Sequence, residues 1–164
     1  MHLQKGVSIE NEVRGLLMRV GYRLSRERGV RANCYYPALD IDGVDIRLSL
    51  EAASGAWVIN IDVAVRSSSR PAVILGKEDD YGTLKRWLKR CSERRTPCLL
   101  FQFDWLSRRL ILLTPDEIRQ LAEGRAAQSI PLPPHAVDVE IQLFDLLATI
   151  AAAPTEADAR ALLI

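Results

Sequence analysis

Ile9, Val13, Leu16, Leu17, Val20 and Leu24 recur at helical spacing and fall on one face. The spacing predicts a helix over Ser8 to Leu24, with Gly21 and Tyr22 loosening its end. Ser25 to Asn33 has no such stripe and carries Arg26, Arg28 and Arg31, so it reads as a solvated turn or loop. A first strand is expected around Cys34 to Ile41. The period then becomes two. Val44, Ile46, Leu48 and Leu50 alternate with Asp45, Arg47 and Ser49, which predicts a second strand. Ser54 and Gly55 supply a turn. Trp57, Ile59, Ile61, Val63 and Val65 alternate with polar or small residues as far as Arg66, which predicts a third strand. Ser67 to Pro71 ends it as a loop.

Helical spacing returns between Asp80 and Glu93, where Leu84, Trp87, Leu88 and Cys91 form a stripe. Pro97 cannot continue that helix and precedes an apolar run, Cys98 to Phe103. Arg109 to Leu113 is its expected partner strand, with Leu106 to Arg108 as the turn. Thr114-Pro115-Asp116-Glu117 combines a capping threonine, proline at the first helical position and a glutamate able to close a capping box. The helix it starts is expected to end near Gly124. A proline-rich connector, Ile130 to Pro134, leads to an amphipathic helix, Val137 to Ala152, and a last turn from Ala159 to Ile164. The order is helix, three strands, helix, two strands, helix: an α/β (α+β) chain with a mixed sheet flanked by helices. Its 164 residues fit one domain, with a core over about 6–118 and a helical extension over about 130–164.

Composition narrows the classes. Hydrophobic residues at 48% and charged residues at 26% are ordinary for a globular chain. The net charge of +1 leaves any electrostatic partner to local clusters. Cys34, Cys91 and Cys98 are odd in number and lack C-x-x-C spacing, which fits free thiols in a reducing compartment. His2 and His135 are isolated, so no zinc set is expected. No apolar run reaches the roughly 20 residues of a membrane span. The expectation is a cytoplasmic protein with no membrane partner.

The polar positions of the second and third strands carry the candidate chemistry. If these strands form a hairpin, Asp45 lies beside Asp62 or Ala64. Two carboxylates on adjacent strands suit Mg²⁺, which takes one or two carboxylates and keeps waters or phosphate oxygens. Glu10 lies about 70° from the centre of the first helix's apolar stripe, at the edge that could face the sheet. It equally fits a first-turn glutamate stabilised by the helix dipole. Asp62 fits either a site or a buried pair with Arg66. Lys85, Arg86, Lys89, Arg90, Arg94 and Arg95 lie opposite the Leu84/Trp87 stripe. That face is either a solvated helix surface or a track for phosphates.

Glu10, then Gly43-Val44-Asp45, then Asp62-Val63-Ala64-Val65-Arg66-Ser67-Ser68 resemble the PD-(D/E)XK, restriction-endonuclease-like superfamily with its αβββαβ core. Glu10, Val13, Leu17, Gly21 and Tyr22 resemble the opening helix of several uncharacterised bacterial members. The Asp80 to Asp104 stretch also fits, and the resemblance covers roughly residues 6–118. It implies a metal-dependent nuclease in which Asp45 and the (D/E) residue hold Mg²⁺ or Mn²⁺ and a lysine helps position the attacking water. This sequence departs from the motif. With Arg66 in the lysine position, Ala64 takes the (D/E) position. With Asp62 in the (D/E) position, Ala64 takes the lysine position. A migrated site built from Asp45, Asp62, Arg66 and Glu10, with Asp45 and Asp62 on the metal, is one outcome, and a degenerate site is the other. The functions implied are a nuclease of bacterial defence or mobile elements, a non-cutting nucleic-acid-binding module, or a protein-interaction scaffold. The partners implied are nucleic acid (DNA before RNA), a protein, or a second copy in a homodimer.

Overall fold

A computed structural model describes residues 2–37, 44–68, 72–74, 89, 91–105, 107–122, 129–131 and 138–164. The first helix, α1, spans His2–Arg28. It outruns the predicted end at Leu24, and Ser25 to Arg28 form its last turn rather than a loop. The reason is polar rather than apolar. Arg26 and Arg28 suit the negative end of the helix dipole, and periodicity cannot see a turn that lacks a buried side. Gly29 stops the helix, at φ +65°, with its N–H donating to the Ser25 carbonyl.

Among the described residues seven strands follow: β1 (Ala32–Tyr35), β2 (Ile46–Glu51), β3 (Val58–Ser68), β4 (Ala72–Ile74), β5 (Cys98–Asp104), β6 (Arg109–Leu113) and β7 (Ser129–Pro131). The main sheet has the order β1-β2-β3-β5-β6, and β4 pairs separately with β7. β1, β2 and β3 form an antiparallel meander, β5 joins β3 in parallel, and β6 returns antiparallel to β5. A parallel neighbour needs a crossover. Its predicted helix, Asp80 to Glu93, falls mostly outside the described residues, which include its closing turn at 91–94. The first strand is shorter than expected among the described residues, and 38–41 lie outside them.

After β6, the helices among the described residues are α2 (Pro115–Ala122), α3 (Val139–Ala151) and α4 (Glu156–Ala161). Thr114 and Glu117 form the predicted capping box: Thr114 Oγ1 accepts from the Glu117 N–H at 3.2 Å, and Glu117 Oε1 accepts from the Thr114 N–H at 3.4 Å. Asp138 caps α3 and Thr155 caps α4, so the last helix begins three residues before the expected turn.

One face of the sheet presents Ile46, Leu48, Leu50, Ile59, Ile61, Val63, Leu99 and Phe101 to the stripe of α1 and to Leu143, Leu147 and Ile150 of α3. β5 is buried at all seven positions, as befits a strand with both faces covered. Gly21 permits close contact between α1 and β1, since a Cβ there would meet the Ala32 carbonyl oxygen at 2.7 Å. No described helix is long and apolar enough to cross a membrane.

Candidate active site at the open end of the β2–β3 hairpin

The hairpin register decides which charged residues meet. Its turn is centred between Ser54 and Gly55, with Gly55 at φ +75°, and this pairs Arg47 directly with Asp62. Side chains at facing positions share a face of the sheet. Arg47 Nε therefore reaches Asp62 Oδ1 at 2.8 Å. Asp62 is only 7% exposed, and the contact holds the Arg47 guanidinium further above its ordinary value. Asp62 does not pair with Arg66.

Asp45 behaves differently because it precedes the first residue of β2. Its N–H donates to the Val63 carbonyl at 3.0 Å, and its Oδ2 accepts from the Val65 N–H at 2.7 Å. The carboxylate thus stands where a strand carbonyl would otherwise continue the ladder, and it brackets Ala64. Arg66 Nη1 completes the set, 3.4 Å from Asp45 Oδ2 and 3.1 Å from the Val65 carbonyl oxygen. Ala64 is fully buried. Ala64 and Arg66 lie beside Asp45, and Asp62 lies one same-face step further into the sheet.

Glu10 joins Asp45 from above. Burial raises its pKa above the ordinary carboxylate value, the neighbouring Asp45 charge and a hydrogen bond shared with Asp45 raise it further, and Arg66 opposes them. Ile9 and Val13 lock that turn of α1 onto the sheet, and this fixes Glu10 at the rim. The structure therefore brings together Glu10, Asp45 and Arg66, and separates Asp62 from them by committing it to Arg47.

Two carboxylates facing each other suit a divalent cation, since their mutual repulsion is what such an ion relieves. Glu10 and Asp45 fit a water-rich Mg²⁺ or Mn²⁺ site of the two-carboxylate kind. Among the described residues no group of three or more His, Cys, Asp or Glu side chains could form a fuller cage.

Of the predicted basic face, Lys85, Arg86 and Arg90 lie outside the described residues. Lys89 pairs with Glu93 at 3.9 Å, and Arg94 is exposed. Sequence reasoning missed Arg47, although a hairpin centred on Ser54-Gly55 already pairs it with Asp62. It also missed Gln102, buried on β5 beside Arg66 in the register. An apolar run gives no hint that one of its members faces a site. Cys91 and Cys98 are buried against each other, and that contact and burial push the Cys98 thiol far up, away from the reactive thiolate.

No protein-family model matches the chain, and no curated protein matches it. Among solved structures, the chain is similar to Hjc of Archaeoglobus fulgidus, a Holliday junction resolvase from an archaeal hyperthermophile. The identity is 10% and the TM-score 0.44, over 87% of this chain and 99% of that one. The assignment of the fold to a mixed sheet flanked by helices rests on the strand order and register described above.

Proposed function

We propose that this chain is a nuclease-like protein acting on nucleic acid, DNA before RNA, with Glu10, Asp45 and Arg66 at its reactive end. The observation that carries the reading is the meeting of two carboxylates from separate elements beside one arginine. Asp45 accepts a hydrogen bond from the Val65 N–H, which sets the direction of its carboxylate. Glu10 closes the site from α1. The guanidinium of Arg66 presents N–H donors that can hold a phosphate oxygen. Glu10 and Asp45 would hold Mg²⁺ or Mn²⁺, which supplies charge neutralisation at the phosphate and a more acidic bound water. Asp62, predicted as a second metal ligand, serves in this reading as the anchor of Arg47. The resemblance to bacterial proteins extends the proposal to a cytoplasmic role in defence or on mobile elements.

The test is cleavage of plasmid, duplex and single-stranded DNA across Mg²⁺, Mn²⁺, Ca²⁺ and chelator. Cleavage that needs Mg²⁺ or Mn²⁺ and disappears in Asp45→Asn supports the proposal. An inert protein under every metal refutes catalysis.

A second reading has its own support. With Arg66 in the lysine position of the motif, Ala64 takes the place of a carboxylate, and Asp62 is paired with Arg47. These fit a module that binds nucleic acid or a protein without cutting. Salt-sensitive DNA binding with no cleavage is the outcome that selects it.

A further inference from the structure

A groove runs along the outer side of α1 where it meets β1. It encloses about 570 Å³, within the size range of sites that hold drug-sized ligands. Arg14, Met18, Tyr22 and Ser25 line it from the helix, and Arg31 and Asn33 from the strand side. Its charged lining is two arginines, with no acidic residue among the lining groups. Met18 and Tyr22 are 59% and 64% exposed, one turn apart on the same helix face. Both side chains are available at the surface beside the two arginines of the groove.

The aromatic rings are held in place. Arg26 sits 5.6 Å from the Tyr22 ring centroid and donates to its hydroxyl at 3.4 Å. Arg14 sits 4.9 Å from the centroid of the exposed Tyr36 ring. At the near end of the groove, Arg14 follows Glu10 by one turn of α1.

We propose that the α1–β1 groove binds single-stranded nucleic acid and leads it to the Glu10–Asp45 end. This rests on the nucleic-acid reading above and adds to it a strand type and a surface. Exposed rings interleaved with arginines match the chemistry of an unpaired strand, whose bases stack on aromatic faces and whose phosphates meet cations. A duplex hides its base faces and would leave Met18 and Tyr22 unused. A second copy of the chain on this face would oppose arginine to arginine across a two-fold axis.

The test uses the full chain and a fluorescent oligothymidylate of 12 nucleotides, read by anisotropy against a salt series. Wild type is expected to bind with a salt-dependent affinity. Tyr22→Ala should weaken binding by about 5- to 50-fold, and Arg14→Glu with Arg31→Glu should weaken it further and flatten the salt dependence. All three residues are exposed, and melting curves verify folding. If both groove variants bind like wild type while Asp45→Asn still abolishes cleavage, the groove proposal falls and the nuclease reading stands. If wild type binds only duplex, or if Tyr22→Ala instead abolishes a concentration-dependent dimer, the groove proposal is likewise overturned. If wild type neither binds nor cuts, both fall.

Discussion

Asp62 lies within β3 and Asp45 immediately before β2 of the same hairpin, and each meets a guanidinium, but the two regions differ in what surrounds the pair. Around Asp62 the register does everything: Arg47 faces it across the ladder, the contact is 2.8 Å, and the carboxylate is 10% exposed. Around Asp45 the ladder has not yet begun. Its carboxylate spends one oxygen on a backbone N–H, holds Arg66 at a looser 3.4 Å, and faces a second carboxylate from another element. A closed, neutral pair inside a sheet contributes to stability. At the start of β2 two carboxylates from separate elements meet, and only the Arg66 charge opposes their mutual effect on Glu10. Perturbed carboxylates of that kind cluster at functional sites.

The comparison breaks most visibly through activity. Asp45→Asn keeps an acceptor for the Val65 N–H and removes the charge. Cleavage should fall by about 100-fold or more, as for loss of a group that stabilises transition-state charge, with the fold retained by circular dichroism. Next comes stability at the other pair. Asp62→Ala leaves Arg47 half-buried without its carboxylate and should cost about 2 kcal/mol in urea unfolding. Replacing both partners by leucine should recover much of that loss.

Gly21→Ala tests what positions Glu10. A Cβ against the Ala32 carbonyl oxygen at 2.7 Å forces α1 away from β1, at a cost of about 1–3 kcal/mol. Cleavage should suffer beyond the stability loss, because Glu10 rides on the displaced helix while Arg47 and Asp62 do not. Gly15→Ala meets only the flexible end of Arg19 at 3.5 Å and should be neutral or stabilising.

The smallest effect is a pH dependence. The pKa of Glu10 is raised in the fold, so the native state holds its proton more tightly than the unfolded chain does. Its contribution is fully present below the ordinary carboxylate value of 4.5 and is lost as pH rises through the raised value. Glu10→Gln should therefore raise the melting temperature slightly at neutral pH and change it little near pH 3. Added Mg²⁺ should stabilise wild type and leave Glu10→Gln nearly unmoved.

Where two-residue alternation or a cap dictated the local structure, the elements were legible: β6 matches its predicted span, and the Thr114 capping box closes as expected. Elements without a buried stripe were not. The last turn of α1 is polar all round, and only Gly29 marks its end. The site was half legible. Asp45, Glu10 and Arg66 could be named because their residue types are unusual at those positions. Which aspartate met which arginine depended on register, and that was fixed by where the Ser54-Gly55 turn is centred. The groove on α1 was invisible, because it is formed where a helix packs against a strand, at a contact that includes the close approach of Gly21 to Ala32.

The central claim is that Asp45, and not Asp62, stands at the reactive end. The most direct test measures Mn²⁺-dependent cleavage by Asp45→Asn and Asp62→Asn side by side, with folding matched by melting curves. The account predicts that Asp45→Asn is inactive and that Asp62→Asn keeps its rate within about threefold of wild type, well under the 1.4 kcal/mol of a tenfold change. Loss of activity in Asp62→Asn with activity retained in Asp45→Asn would contradict it.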